Sequence, residues 1–160
     1  MGQARRSRGS GPGTVPGQPP YGQKKLPEMQ VLTKAKELEL HSIRKSDSSK
    51  CYPKKYRFTL VSRIQDEALN ITDALLEVND LLLSDEIERP MRFRAHRSAL
   101  RACRKLLRLI ELSHDLGRID DDAFAYWSTM ASDVRNMAAA WYKSDMRRAP
   151  GTAPKQDGRN

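Results

Sequence analysis

The apolar residues Ile64, Ala68, Ile71, Leu75, Val78 and Leu82 are spaced by 4, 3, 4, 3 and 4 positions. An α-helix with one buried face meets that rhythm, and an alternating strand does not. A single such stripe is marginal in water and needs partner helices to cover it. Three other segments supply them. From Glu28 to about Ser46, the residues Val31, Leu32, Ala35, Leu38 and Ile43 recur at roughly helical spacing between Pro27 and the polar run Ser46 to Lys50. The second helix is expected to start after Cys51-Tyr52-Pro53, since proline suits a first helical turn. Past a polar break at Ser84-Asp85, a third helix is predicted from about Pro90 to Leu116. Its seam is Leu100, Cys103, Leu107 and Ile110, and Gly117 is its C-terminal stop. Residues 84–90 fit either a loop or an earlier turn. Asp120, Asp121 and Asp122 open a fourth helix, because carboxylates favour the positive end of the helix dipole. There Phe124, Trp127, Met130, Val134, Met137 and Trp141 are expected to face inward. No strand alternation or hairpin signal competes, so the expected fold is an all-α antiparallel up-down four-helix bundle over residues 28–147.

An apolar content of 38% over 160 residues suffices for one modest core. Residues 1–27 hold six Gly, five Pro and five Lys or Arg. They and residues 148–160 are expected to be disordered tails, since neither can bury enough apolar surface to offset its ordering entropy. Cys51 and Cys103 are the two cysteines, and they suggest neither a disulfide framework nor a zinc cluster. No export signal or membrane span is legible, so a cytoplasmic protein without membrane contact is expected.

The formal charge of +9 favours polyanionic partners. It is concentrated: between Arg89 and Arg108 stand eight basic residues, Arg89, Arg92, Arg94, Arg97, Arg101, Arg104, Lys105 and Arg108, and no acidic one. At about 100° per residue, Arg97, Arg101, Arg104 and Arg108 form a stripe roughly opposite the apolar seam. Like charges at i and i+4 repel, so such a stripe costs stability unless an anionic partner covers it. Arginine also offers a planar donor fork matched to phosphate oxygens. Two readings stand side by side: contact with a nucleic-acid backbone, or a solvated face that pairs with acidic residues such as Asp66, Asp73, Glu77 and Asp80 of a neighbouring subunit. A second cluster, Lys50, Lys54, Lys55, Arg57 and Arg63, surrounds the start of helix two and extends the basic surface. The candidate nucleic-acid-binding residues are thus Arg57, Arg63, Arg94, Arg97, Arg101, Arg104, Lys105 and Arg108.

Catalytic and metal chemistry find little support. Glu111 and His114 form one Glu-x-x-His step, but a di-iron bundle needs a second copy and further inward carboxylates. His114 is therefore expected to be a buried structural histidine. There is no phosphate loop, nucleophile elbow or recognisable Cys/His pair. Trp127 and Trp141 are assigned to the core, and Asn70-Ile71-Thr72, a glycosylation-type triplet, falls mid-helix. No catalytic residue, metal or cofactor is expected.

The segment Pro53-Lys54-Lys55-Tyr56-Arg57-Phe58-Thr59-Leu60-Val61-Ser62-Arg63-Ile64-Gln65, followed by Ala68-Leu69-Asn70-Ile71, resembles the start of helix two in the Avd-like four-helix bundle proteins. Avd is the accessory variability determinant of diversity-generating retroelements. Leu75-Leu76-Glu77-Val78-Asn79, the stretch Leu106 to Gly117, and Ala139-Ala140-Trp141 with Lys143-Ser144-Asp145 carry the likeness on, over about residues 30 to 147. Parts of these motifs are shared with the intervening-sequence proteins of bacterial large-subunit rRNA. The resemblance implies a homopentamer with a positively charged surface that binds a reverse transcriptase and its template RNA, or an RNA/DNA hybrid. It would support mutagenic copying while the reverse transcriptase performs the chemistry. By the same resemblance Arg57 and Arg63 match the family's basic positions in helix two. The alternative is a structural oligomer or protein-interaction bundle without specific nucleic-acid binding.

Overall fold

The computed structural model describes residues 27–151; the segments 1–26 and 152–160, where most of both expected tails fall, lie outside them. Four α-helices follow one another: α1 (Pro27–Ser46), α2 (Ser62–Asp80), α3 (Glu88–Asp115) and α4 (Asp121–Arg148). Each packs chiefly on its two neighbours, α1 on α2, α2 on α3, α3 on α4 and α4 back on α1. This is the closed square of an up-down bundle, with α2–α3 the most extensive pairing. No strand occurs among the described residues.

The core is one continuous cluster drawn from all four helices, including Leu38, Ile64, Ile71, Leu75, Leu106, Ile110, Trp127 and Val134. In α4 the buried residues are Trp127, Ala131, Val134, Ala138, Trp141 and Asp145, a seam of 4, 3, 4, 3 and 4 steps. Phe124, Met130 and Met137 lie on its shoulders, half-buried. Ser42, rather than Ile43, is the fully buried residue near the end of α1, where its Oγ accepts the Trp127 indole N–H at 2.9 Å.

Three features depart from the simplest helical reading. The entry to α2 is a 3-10 turn (Lys54–Tyr56) followed by a π-helical turn (Arg57–Val61), which adds a residue per turn and leaves Arg57, Phe58 and Thr59 exposed in succession. At its other end, α2 stops at Asp80 with Leu81 extended, so Leu82 is exposed and does not continue the seam. The α3 seam is rotated from the predicted one: Ala95, Ala99, Ala102, Cys103, Leu106 and Ile110 are buried, while Leu100 and Leu107 are only half-buried. Small alanines let the backbones approach closely, a packing advantage that an apolar scale does not register. Residues 84–87 are a loop, and Asp85 caps α3 by accepting the Ile87 and Glu88 backbone N–H groups at 2.8 and 2.9 Å.

The α3–α4 turn forms as expected. Gly117 has φ of +64°, its N–H donates to His114 O, and the Arg118 N–H donates to Ser113 O, which closes a Schellman motif. A side-chain Cβ at Gly117 would meet nothing within 4 Å, so only backbone strain opposes substitution. Gly117→Ala is expected to cost about 1 kcal/mol, read as a lower urea midpoint with unchanged slope. Opposite Gly117, the Asp120 carboxylate accepts the Ala123 N–H at 2.8 Å and caps α4.

Candidate nucleic-acid interface

The α3 arginines divide by their position on the helix. Arg94, Arg97, Arg101, Arg104, Lys105 and Arg108 are all exposed and lie within an arc of about 100°, facing away from the buried seam. They form a ridge along the outer side of α3. Arg92, one of the eight basic residues of this stretch, is not on it: it is buried on the opposite side.

Grooves flank the ridge. Toward α2, a groove of about 510 Å³ is lined by Arg63, Glu67, Arg101, Arg104, Lys105, Arg108 and Leu109. Its one acid, Glu67, is taken by Lys105 at 2.9 Å. Toward α4, a groove of about 450 Å³ brings Arg135, Ser128 and Ser132 opposite Arg104 and Arg108. Arg135 was not among the sequence candidates, since the mixed composition of α4 gives it no prominence. Arg108 pairs with Glu111 at 3.2 Å across solvent, which is worth little, and Arg97 reaches Tyr142 Oη at 3.4 Å. Arg94, Arg101 and Arg104 have no ion pair or hydrogen bond from their side chains among the described residues. Open cations in two shallow grooves are chemically suited to phosphate oxygens rather than to an enclosed small ligand. Arg57, also a candidate, is exposed at the π-helical turn and does not line the groove that holds Arg63.

The buried polar chemistry lies elsewhere. Asp145 of α4, wholly buried, accepts Arg92 Nε at 2.6 Å, His96 Nε2 at 2.8 Å and Arg148 at 2.6 Å. Arg92 also donates to the carbonyls of Val78 and Leu81, groups that the end of α2 leaves without helical partners. Its guanidinium lies over the Trp141 ring at 5.5 Å, and Arg148 reaches Glu28 of α1 at 3.6 Å. All four helices are thus tied at one end of the bundle. Burial pushes the Asp145 carboxyl up, but the hydrogen bonds from His96, Arg92 and Arg148 outweigh it and hold the group well below the usual carboxylate range. His96 Nδ1 is buried with no hydrogen-bond partner among the described residues. Helical spacing could have placed the members of the knot on inward faces, since Arg92, His96, Ala99 and Cys103 run at 4, 3 and 4 steps and Asp145 continues the α4 seam, but it does not pair them.

His114 is not buried as expected. Its side chain is 33% exposed, its Nε2 meets Asp121 at 2.7 Å, and its ring stacks on Phe124. It braces the α3–α4 turn. Glu111, its partner in the Glu-x-x-His step, pairs with Arg108, and among the described residues no three His, Cys, Asp or Glu side chains are grouped as a metal site would require. Both cysteines are free thiols, and burial pushes Cys103 up to about 12. No helix among the described residues is long and apolar enough to cross a membrane.

The fold and surface define an all-α up-down four-helix bundle that carries an external arginine ridge and an internal ionic knot. The bundle is similar to a solved structure from Bacteroides thetaiotaomicron, described as a protein with unknown function from the S23 ribosomal protein family, with a TM-score of 0.63 and 11% sequence identity. The alignment covers 74% of this chain and 99% of that one. At that identity the likeness is one of fold. No family model and no curated protein matches the chain.

Proposed function

We propose that the protein is a non-catalytic nucleic-acid-binding subunit, the Avd-like accessory partner of a reverse transcriptase, which holds template RNA or an RNA/DNA hybrid on the α3 ridge. The observation that carries this reading is the pair of open cations Arg101 and Arg104, placed beside Arg63 in a groove whose single carboxylate is already neutralised, with Arg94 exposed further along the same ridge. Repulsion along such a ridge is relieved by phosphates. The reverse transcriptase, the RNA and the homopentamer follow from the resemblance of Pro53 to Ile71 and the later motifs, and the ribosomal-protein family of the fold neighbour is compatible with RNA as the ligand.

The test is binding of a labelled structured RNA to the full-length protein across 50 to 300 mM salt, on the scale where counterion release acts. The expected result is log affinity falling linearly with log salt, with a slope of about −4 to −6 if the ridge and groove engage five to seven phosphates. Absence of binding at the lowest salt, or a flat profile, overturns the reading.

A second reading has its own support. Asp66, Asp73, Glu77 and Asp80 are all exposed on one line of α2 and have no ion pairs among the described residues. The chain thus carries an acidic stripe complementary to its own basic ridge, which suits head-to-tail contact between copies. Light scattering separates the two readings: charge reversal on the ridge would dissolve such an oligomer, whereas nucleic-acid contact leaves its mass unchanged.

A further inference from the structure

Phe58 is 80% exposed, more than any other large apolar side chain among the described residues. It stands in the π-helical turn Arg57–Val61, a backbone form found mostly as single-turn bulges and frequent at functional sites. The turn buries Leu60 in the core and leaves Phe58 outside it. The inner face of α2 therefore does not need this ring.

Its surroundings define what can cover it. From Ser48 to Gln65 the chain has five cations, Lys50, Lys54, Lys55, Arg57 and Arg63, and no carboxylate. Neighbouring Tyr56 already carries cations on its ring, with Lys55 at 5.1 Å and Arg118 at 5.4 Å. A protein hot spot of the usual kind sits in a packed, desolvated apolar pocket. Phe58 instead stands open to solvent on a turn with Lys54, Lys55 and Arg57, all exposed. One open ring amid positive charge matches an occupant that is polyanionic and has flat apolar faces of its own. Unpaired nucleotides have both properties, and base stacking on a single aromatic is sequence-tolerant. The segment also runs into the phosphate groove, since Arg63 follows Phe58 by five residues and lines that groove with Arg101, Arg104, Lys105 and Arg108.

We propose that Phe58 is a stacking platform for an unpaired base of the nucleic acid whose backbone lies along Arg63 and the α3 ridge, so that the preferred ligand is single-stranded or contains a single-strand junction. This rests on the nucleic-acid reading above. A blunt duplex keeps its bases inside the stack and offers Phe58 no face except at its ends.

The experiment compares a labelled 15-nucleotide oligoadenylate with a blunt 15-base-pair RNA duplex on full-length wild type, Phe58→Ala, Phe58→Leu and Phe58→Trp at fixed low salt. Exposure of the side chain makes folding insensitive to these changes, and thermal melting checks it. Phe58→Ala is expected to weaken oligoadenylate binding about 5- to 100-fold and to leave the duplex within about twofold. Phe58→Leu should resemble alanine, because it keeps apolar area and loses the π face, and Phe58→Trp should restore binding. Equal effects on strand and duplex, or wild-type binding by Phe58→Leu, overturn the stacking role; wild-type behaviour of the leucine variant would point to an apolar protein contact. Loss of binding in ridge variants alongside unchanged Phe58→Ala affinity defeats the platform and spares the nucleic-acid reading. Failure of wild type to bind either probe defeats both.

Discussion

Asp145→Ala is expected to lower the unfolding free energy by about 3–5 kcal/mol, the loss that follows when one partner of a buried ion pair is removed. The cause is what remains behind. Arg92, with its side chain 10% exposed, would keep its charge in the interior without a carboxylate, and His96 would lose the acceptor of its Nε2 at 2.8 Å. For a domain of this size the loss corresponds to roughly 10–20 °C in midpoint. Asp145→Asn keeps shape and part of the hydrogen bonding, so its loss should be smaller; equal losses for the two variants, or a loss below about 1 kcal/mol for alanine, would show that the knot is not an electrostatic clasp.

The same carboxylate sets a pH dependence. Its folded-state pKa is depressed, so near pH 4 the unfolded chain binds more protons than the folded one and stability rises with pH there. The Asp145 contribution is present in full above the unfolded carboxylate value of about 3.9 and is lost as pH falls below it. Urea midpoints between pH 5 and pH 3, an interval chosen about that unfolded value, should fall more steeply for wild type than for Asp145→Asn. Parallel curves would mean that other groups carry the acid sensitivity.

Reversing two ridge charges, Arg101→Glu with Arg104→Glu, should have the largest effect on binding. Each substitution deletes a phosphate contact and places a repelling carboxylate in the same groove. The expected loss of RNA affinity is on the order of 10- to 100-fold near 0.1 M salt, with the salt slope shallower by about two. Folding should not suffer. Both side chains are exposed, have no ion pair to lose, and repel their basic neighbours at i+3 and i+4. A thermal midpoint equal to or slightly above wild type, together with weakened binding, identifies the ridge as the interface. Unchanged affinity at matched salt removes it from that role, and a collapse in oligomer mass transfers it to contact between copies.

Much of this architecture is written in spacing. The steps from Ile64 to Val78, the Asp120 cap and the Gly117 stop locate helix faces and ends, because periodicity and local backbone geometry are properties of short stretches of chain. The outward arginine ridge is equally local, since an exposed stripe needs only the angle between residues on one helix.

The rest depends on which helix lies opposite which. Arg92 sits among seven other basic residues and in sequence differs from them only by its angle. It turns inward because Asp145, 53 residues away, and the free carbonyls of Val78 and Leu81 wait there. The same arginine caps the end of α2 through the Val78 and Leu81 carbonyls, and Leu82 lies exposed just beyond that end. The rotated α3 seam has a similar origin: alanines at 95, 99 and 102 win the interior through close approach, while Leu100 and Leu107 lie at its shoulders. Sequence by itself determined the number of helices, the turn between α3 and α4 and the outward charge, all of which follow from interactions within a few turns. The buried ionic knot, the register of the seams and the meeting of Arg63 with the α3 ridge were decided by tertiary structure, because a buried charge is tolerable only where distant segments bring its partners into contact.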